Sequence, residues 1–327
     1  MIKMYFKKSI GIIAVILTSV MLTASFASAD GFVEWLELLR DEAISRGISE
    51  QTLDTALAGA QPLERVIELD RNQPEFKKDY QSYLKMTVTE FRIKKGRKML
   101  EEHRALLENI STQYGVQPRF LVAIWGMETN FGTYLGSFPI INSLVTLAYD
   151  ERRSKFFRAE LLNALRILDE GHITVSDMKG SWAGAMGQVQ FMPSTFISFA
   201  VDGDKDGRKD LWHSLPDVFA SASNYLSRYN WSGNWTWGRE VLLPPGFDQE
   251  MAGMKINKLL SEWQDLGIRR INGDNLPEAP INASLILPSG SSGPAFLVYQ
   301  NYRAIYRWNR SHFYALAVCR LSDRIKE

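Results

Sequence analysis

The sequence predicts a mainly α-helical protein with a small antiparallel β unit, an α+β fold class. Apolar residues recur at helical spacing through most of residues 30–230 and again in residues 303–327. Between them, in residues 231–302, short apolar runs alternate with Pro and Gly, a pattern typical of short strands and turns. We therefore expect a helical region of residues 30–230 plus 303–327 and a small β subdomain of residues 231–302.

The N-terminus has the pattern of an export signal. Three lysines precede an apolar run from Ile10 to Leu22, and Ala27-Ser28-Ala29 has the small-x-small form of a signal peptidase site. This predicts a signal peptide of residues 1–29 and a periplasmic mature chain that begins at Asp30. An uncleaved membrane anchor is the alternative, although the apolar run is short for a span of about 20 residues.

Composition excludes several classes of protein. The 38 Lys and Arg residues balance the 37 Asp and Glu residues, so the chain lacks the basic field of a nucleic-acid-binding protein. Cys319 is the only cysteine, which rules out an intramolecular disulfide and a lipid anchor at the cleavage site. Nine Trp and twelve Tyr mildly favour a carbohydrate ligand, with a role in the core as the ordinary alternative.

Periodicity gives a coarse secondary structure. We expect single helices over Thr87–Ile110, Leu144–Leu168 and Tyr302–Leu321, and an extended segment over Val66–Pro74. Four strands are expected in the β subdomain, in the runs that begin at Glu240, Ile268, Ala283 and Ala295.

One buried helix carries a carboxyl group. Pro118 is suited to the first turn of a helix that is apolar on almost every side, and Glu128 is its first strongly polar side chain after Arg119. Burial and the negative end of the helix dipole should both raise the pKa of Glu128. Glycosidic bond cleavage commonly uses such a carboxyl as a general acid. The alternative is a structural Glu that caps or pairs at the helix end.

A glycine-rich segment, Lys179–Thr195, offers neutral hydrogen-bonding groups. Its glycines interrupt any helix, and Gln188 and Gln190 lie among aromatic and Met residues. It is not a phosphate-binding loop, because no Gly-Lys-Ser/Thr follows. Amides and hydroxyls near a closely approaching backbone suit a sugar ligand, while a tight interhelical turn is the alternative.

The segment from Asp202 reproduces most of an EF-hand calcium loop. Acidic residues occupy loop positions 1, 3, 5 and 9 and a Gly occupies position 6: Asp202, Asp204, Asp206, Asp210 and Gly207. His213 replaces the bidentate Glu of position 12, and Asp217 could close a longer loop. A calcium ion here would be structural, and a polar Asp-Gly turn is the alternative.

Together these motifs resemble the lytic murein transglycosylase B family of bacterial cell-wall enzymes, whose fold is related to goose-type lysozyme. The resemblance covers nearly all of the mature chain, through Ala123–Gly132, Gly180–Pro193, the acidic loop with Leu211-Trp212, Ala222–Tyr225 and Arg307–Ser311. It implies a lysozyme-like helical catalytic domain that cleaves the MurNAc-GlcNAc β-1,4 bond of peptidoglycan without water. The products would carry 1,6-anhydroMurNAc ends.

The resemblance also implies roles for individual residues. Glu128 would be the single catalytic acid and base. The implied substrate-binding residues are Ser181 and Asn309 at the N-acetyl group, Gln190 and Tyr225 in the cleft, and Arg152 and Arg153 towards the stem peptide. The implied calcium ligands are Asp202, Asp204, Asp206 and Asp217; Arg208 replaces a coordinating side chain used in the family, and ligation by Asp210 stays open.

The expected partners are peptidoglycan glycan strands and cell-wall synthesis or division proteins, without nucleic acid, lipid anchor or organic cofactor. The motifs offer Glu128 no second carboxylate, which favours assistance by the substrate's own acetamido group. Two other functions remain open. A hydrolytic muramidase would release reducing ends, and a non-catalytic peptidoglycan-binding protein would release nothing.

Overall fold

The computed structural model describes residues 21–72 and 79–326, with side chains from residue 31 onward. The helices are α1 (Met21–Ser45), α2 (Glu50–Ala56), α3 (Glu64–Arg71), α4 (Tyr80–Thr87), α5 (Glu90–Glu102), α6 (Arg104–Tyr114), α7 (Pro118–Thr129), α8 (Ile140–Tyr149), α9 (Ser154–Asp169), α10 (Pro193–Phe199), α11 (Leu215–Arg228), α12 (Leu260–Asp265), α13 (Gln300–Trp308) and α14 (His312–Lys326). The strands are β1 (Phe138–Pro139), β2 (Lys179–Gly180), β3 (Gly238–Leu242), β4 (Lys258–Leu259), β5 (Arg269–Arg270), β6 (Asn282–Ile286) and β7 (Ala295–Val298).

The N-terminal signal falls mostly outside this description. Residues 1–20 of the predicted signal peptide lie outside the described residues, and α1 begins at Met21 within it. In the part of the chain that the structure describes, none of the helices is both long enough and apolar enough to span a membrane.

Five strands form an antiparallel sheet in the order β4-β6-β7-β3-β5. Four of them correspond to the four runs predicted from the sequence, so the mainly α fold with a small antiparallel sheet is confirmed. The short strand β4 and helix α12 were not predicted, because neither is long enough to show a clear period.

The sheet is buried on both faces. Along β7, Phe296 and Val298 belong to the core of the helical region. The alternate residues, Ala295 and Leu297, pack in a second cluster with Trp263 of α12. This alternation fixes the sheet between the helical core and α12, and it explains why β7 is a continuous apolar run.

Three predicted helices are interrupted. Thr87–Ile110 is divided into α5 and α6 at His103, whose φ of −108° leaves the helical region and whose ring lies 5.8 Å from that of Trp125. Leu144–Leu168 is divided between α8 and α9, and Tyr302–Leu321 breaks at Asn309. At His103 and Asn309 the apolar period continues across the break, so periodicity alone could not locate it. The break between α8 and α9 falls in the charged run Asp150–Arg153.

The expectation of an extended segment over Val66–Pro74 was wrong for residues 66–71, and residues 73 and 74 lie outside the described residues. The segment begins inside α3, which ends at Arg71. Val66 and Asp70 of this helix are buried four residues apart on one face. The segment is a short amphipathic helix with many charges, and its apolar residues are too few for its period to be clear from the sequence.

Candidate active site

Helix α7 holds Glu128 at the edge of the core. Its residues Phe120 to Gly126 are all buried, whereas Glu128 is half-buried. The helix ends at Thr129, because Asn130 and Phe131 adopt left-handed φ values of 51° and 61°. Glu128 is therefore the second-last residue of a largely buried, apolar helix.

Two side chains from the C-terminal region contact the Glu128 carboxyl. The hydroxyl of Tyr314 donates a hydrogen bond of 2.5 Å to Oε1, and Trp308 donates a second. Burial raises the pKa of Glu128 to about 7, although both hydrogen bonds act to lower it. The direction agrees with the sequence-based prediction.

The fold brings these groups together from distant parts of the chain. Trp308 is the last residue of α13, and Tyr314 lies in the first turn of α14, which packs along α7. Trp308 belongs to a motif recognised in the sequence, but no role had been assigned to it. Tyr314 was missed altogether, because nothing in its local pattern separates it from an ordinary core tyrosine.

An aromatic wall extends from Trp308. Its ring centroid lies 4.8 Å from that of Tyr225 on α11 and 5.1 Å from that of Phe191 in the glycine-rich segment. Tyr225 in turn lies 4.8 Å from Tyr229. The wall therefore joins three sequence motifs beside the acid, and Tyr225 is brought to the Glu128 site as the sequence suggests.

The glycine-rich segment passes very close to neighbouring backbone. A Cβ on Gly136 would lie 2.0 Å from the carbonyl oxygen of Gly180, and one on Gly180 would lie 2.1 Å from that of Ala185. Only glycine fits at either position. Ser181 lies at this crossing, where its Oγ accepts a 2.9 Å hydrogen bond from the Ala185 N–H.

The two glutamines of this segment have different environments. Gln188 is buried: its Oε1 accepts from Trp125 Nε1 at 2.8 Å, and its Nε2 donates to the Trp212 carbonyl at 2.9 Å. Gln190 is half-buried, with a left-handed φ of 50°, and its Nε2 donates to the Leu135 carbonyl at 3.1 Å. Gln188 thus joins α7 to the acidic loop, and Gln190 is the more accessible of the two.

Asn309 and the arginine pair lie in different places. Asn309 is exposed at the C-terminus of α13, directly after Trp308. Arg152 and Arg153 both form ion pairs with the buried carboxylate of Asp70 on α3, at 3.3 Å for Arg152 Nη1. Asn309 therefore follows a residue of the Glu128 site in the chain, whereas the arginine pair contacts α3.

The acidic loop brings three of its carboxylates together. Oxygen atoms of Asp202, Asp204 and Asp217 lie within 4.8 Å of one another. Asp217 is fully buried and accepts N–H groups of Gly203 at 2.7 Å and Asp210 at 2.6 Å. Burial raises the pKa of Asp217, and the neighbouring charge of Asp204 adds to the rise.

Two other acids of the loop lie outside this group. Oδ1 of Asp206 accepts the Arg208 N–H at 2.8 Å. The Asp210 carboxylate caps a turn by accepting the N–H groups of Trp212 and His213. The three grouped carboxylates offer the hard oxygen ligands that calcium prefers, so the donor set fits that ion.

Comparison with known proteins agrees with this geometry. Residues 31–323 match the family described as Transglycosylase SLT domain. The chain belongs to this family. It is a lytic murein transglycosylase with a lysozyme-like fold, which confirms the family, the fold class and the enzyme class predicted from the sequence.

The similar proteins cover most of the chain. Membrane-bound lytic murein transglycosylase B of Escherichia coli is 29% identical over 299 residues, 85% of this chain and 79% of that protein. SltB3 of Pseudomonas aeruginosa, solved with NAG-anhNAM-pentapeptide and with NAG-NAM-pentapeptide, is 46% identical with a TM-score of 0.88 over 90% of this chain and 79% of its own. Slt35 of Escherichia coli, solved with calcium, is 28% identical. Its TM-score is 0.77 over 89% of this chain and 92% of its own.

Proposed function

We propose that Glu128 is the single general acid and base of this lytic transglycosylase, acting on the MurNAc-GlcNAc bond of peptidoglycan. The observation that carries the proposal is one half-buried carboxyl, with a pKa of about 7, held by Tyr314 and Trp308 beside an aromatic wall. A group with this pKa can both give and take a proton near neutral pH.

In the first step, the protonated Glu128 gives its proton to the glycosidic oxygen. The C1–O bond breaks, GlcNAc leaves with a hydroxyl, and the acetamido oxygen of MurNAc bonds to C1. Among the residues that the structure describes, the groups that shift the pKa of Glu128 are Tyr314 and Trp308, and they include no Asp or Glu. A substrate-assisted step fits this arrangement, because a conventional retaining glycosidase needs a second carboxylate about 5 Å away.

In the second step, the Glu128 carboxylate takes the proton of the MurNAc C6 hydroxyl. O6 bonds to C1, the bond from C1 to the acetamido oxygen breaks, and a 1,6-anhydro ring closes. Glu128 regains its proton and water is not consumed. The relative SltB3 has been solved with NAG-anhNAM-pentapeptide, a ligand that carries such an anhydro sugar, and this supports the proposal.

Four further residues are proposed to bind the glycan. Ser181 and Asn309 would orient the acetamido group, since Ser181 is fixed by its Ala185 contact and Asn309 is exposed next to Trp308. Gln190 and Tyr225 would line the cleft, where Tyr225 packs against Trp308. We also propose that Arg152 and Arg153 face the stem peptide. Their positive charge would then be shared between Asp70 and the peptide.

We further propose that Asp202, Asp204 and Asp217 hold a structural calcium ion, in line with the calcium complex of the relative Slt35. The ion would offset the repulsion of three carboxylates. It would also stabilise the loop that supports the glycine-rich segment, because Gln188 donates its N–H to the Leu211 carbonyl at 2.7 Å. Asp206 would need to turn away from Arg208 to join the ligands.

We also propose a location and a domain organisation for the chain. Export to the periplasm through the signal peptide of residues 1–29 is consistent with a cell-wall substrate. The β subdomain of residues 231–302 has its own apolar cluster around Trp263. Interaction with cell-wall synthesis or division proteins stays a prediction.

Digestion of sacculi in H₂¹⁸O tests the mechanism. Intramolecular attack by O6 predicts anhydro ends that contain no ¹⁸O at C1. A hydrolytic muramidase would place one ¹⁸O at each new reducing end, and a binding protein would release no fragments. Either of those results would overturn the proposal.

A further inference from the structure

A basic cavity of about 480 Å³ lies beside the aromatic wall. The side chains that line it include Tyr229, Met254, Arg303, Tyr306, Arg307 and Arg310. We propose that this cavity binds a carboxylate of the peptidoglycan stem peptide, and that it selects glycan strands that carry peptides. The proposal rests on the function proposed above, and it assigns the cavity to the same substrate.

The charge of the cavity is the first argument. Three guanidinium groups line it, and its lining residues include no Asp or Glu. Arg303 donates to the Met254 carbonyl at 2.9 Å, and the guanidinium of Arg307 lies 4.9 Å from the ring centroid of Tyr229. Arg310 is exposed. Within the described ranges no ion pair involves any of the three arginines, so their charge is available to an anion.

The position of the cavity is the second argument. Arg307 and Arg310 flank Trp308 and Asn309 in the chain, and the Cα atoms of adjacent residues lie about 3.8 Å apart. Tyr229 of the cavity contacts Tyr225, which contacts Trp308, which hydrogen-bonds to Glu128. Burial raises the pKa of Tyr225, and the charges of Arg307 and Arg310 oppose that rise, so their field reaches the aromatic wall.

The chemistry of the ligand follows from the substrate. In peptide-bearing strands the lactyl carboxyl of each muramoyl group is bound in the amide link to the stem peptide, so the free carboxylates lie on the peptide. A planar guanidinium matches a carboxylate with two parallel hydrogen bonds, which an ammonium group cannot provide. Arg152 and Arg153 are less suited, because Asp70 already pairs with both of them. The structure thus favours Arg307 and Arg310 for peptide recognition.

The test compares two substrates and three variants. Uncross-linked glycan strands are prepared with intact stem peptides and with the peptide carboxylates converted to amides, and kcat/KM is measured on each. The variants are Arg307→Gln with Arg310→Gln, Arg152→Gln with Arg153→Gln, and Arg65→Gln as an exposed arginine outside the cavity. The readout is the ratio of kcat/KM on strands with free peptide carboxylates to that on strands with amidated peptides.

The Arg307/Arg310 variant should lower this ratio by about tenfold or more, the loss expected when a carboxylate loses charge-assisted hydrogen bonds. Arg65→Gln should leave the ratio unchanged. An unchanged ratio in the Arg307/Arg310 variant, or an equal loss on both substrates, would overturn the proposal. A loss of the ratio only in the Arg152/Arg153 variant would assign the peptide to that pair instead.

A binding measurement keeps the cavity testable if the chain shows no turnover. A soluble disaccharide pentapeptide is titrated into the Glu128→Gln protein, together with the same compound with its carboxylates converted to amides. The cavity predicts tighter binding of the free carboxylates, and loss of that preference in the Arg307/Arg310 background. Equal affinity for both compounds would contradict it, whichever reaction the parent protein catalyses.

Discussion

The hydroxyl of Tyr314 lies 2.5 Å from Oε1 of Glu128 and donates a hydrogen bond to it. Because a donor stabilises the ionised carboxylate, this contact opposes the effect of burial, and the pKa of Glu128 is about 7 with both effects present. Tyr314 therefore sets the balance between the acid and base forms of the residue on which the reaction depends.

Replacement of Tyr314 by Phe should move that balance. Without the donor, the Glu128 pKa rises further, so the basic limb of the pH profile of kcat/KM should move to higher pH. The rate should fall by less than the roughly 100-fold or greater loss expected for Glu128→Gln, since the acid itself remains. Tyr299→Phe removes a tyrosine hydroxyl that contacts Arg239 and serves as the control. A profile of Tyr314→Phe that matches the parent would contradict this role.

Because its pKa is raised, Glu128 should also destabilise the folded state at pH values above 4.5. Below the usual carboxyl pKa of 4.5, Glu128 is protonated in both the folded and the unfolded states. As the pH rises from 4.5 to about 7, the unfolded chain releases the proton first, so the folded state is progressively disfavoured. Glu128→Gln removes this effect. The variant should gain up to about 3 kcal/mol over the parent between pH 4.5 and pH 8, measured by denaturant unfolding. A gain that does not depend on pH would contradict the assignment.

Gln188 is predicted to be structural. Gln188→Leu would leave the buried Trp125 Nε1 and the Trp212 carbonyl without their present partners. The free energy of unfolding should fall by about 2–4 kcal/mol, the sum expected for two unsatisfied groups. Gln51→Leu on the exposed surface of α2 should change it by less than about 0.5 kcal/mol. Equal denaturation midpoints for the two variants would exclude the linking role of Gln188.

Calcium should stabilise the protein through the acidic loop. Addition of calcium at about 100 times its Kd should contribute roughly 2.7 kcal/mol and raise Tm by several degrees, and excess chelator should reverse the rise. Asp202→Asn with Asp204→Asn should abolish the response, because both carboxylates belong to the grouped set. Asp41→Asn, in an exposed position of α1, should retain it. A Tm that is insensitive to calcium and chelator would reject the site.

Local patterns predicted the parts of the site that lie within single segments. Pro118, the apolar run after it and the isolated Glu128 identify the acid-bearing helix, and the spacing of Asp202 and Asp204 identifies the acidic loop. Long-range packing decided the rest. Tyr314 reaches Glu128 across 186 residues of sequence, through the packing of α14 along α7.

The helix breaks show the same limit. At Asn309 the apolar period of the C-terminal segment continues, yet the chain leaves the helix with φ of −140° and begins α14 at His312. The turn places both Trp308 and Tyr314 against the acid. Likewise, the ion pairs of Arg152 and Arg153 depend on Asp70, whose segment the sequence misassigned as extended.

The most direct test is a mass spectrum of the soluble products released from murein sacculi by the purified chain from Asp30 and by its Glu128→Gln variant. The parent should release muropeptides with 1,6-anhydroMurNAc ends, and the variant should release none. Reducing-end muropeptides from the parent, or anhydro products from the variant at the parent's rate, would contradict Glu128 as the acid of a lytic transglycosylase.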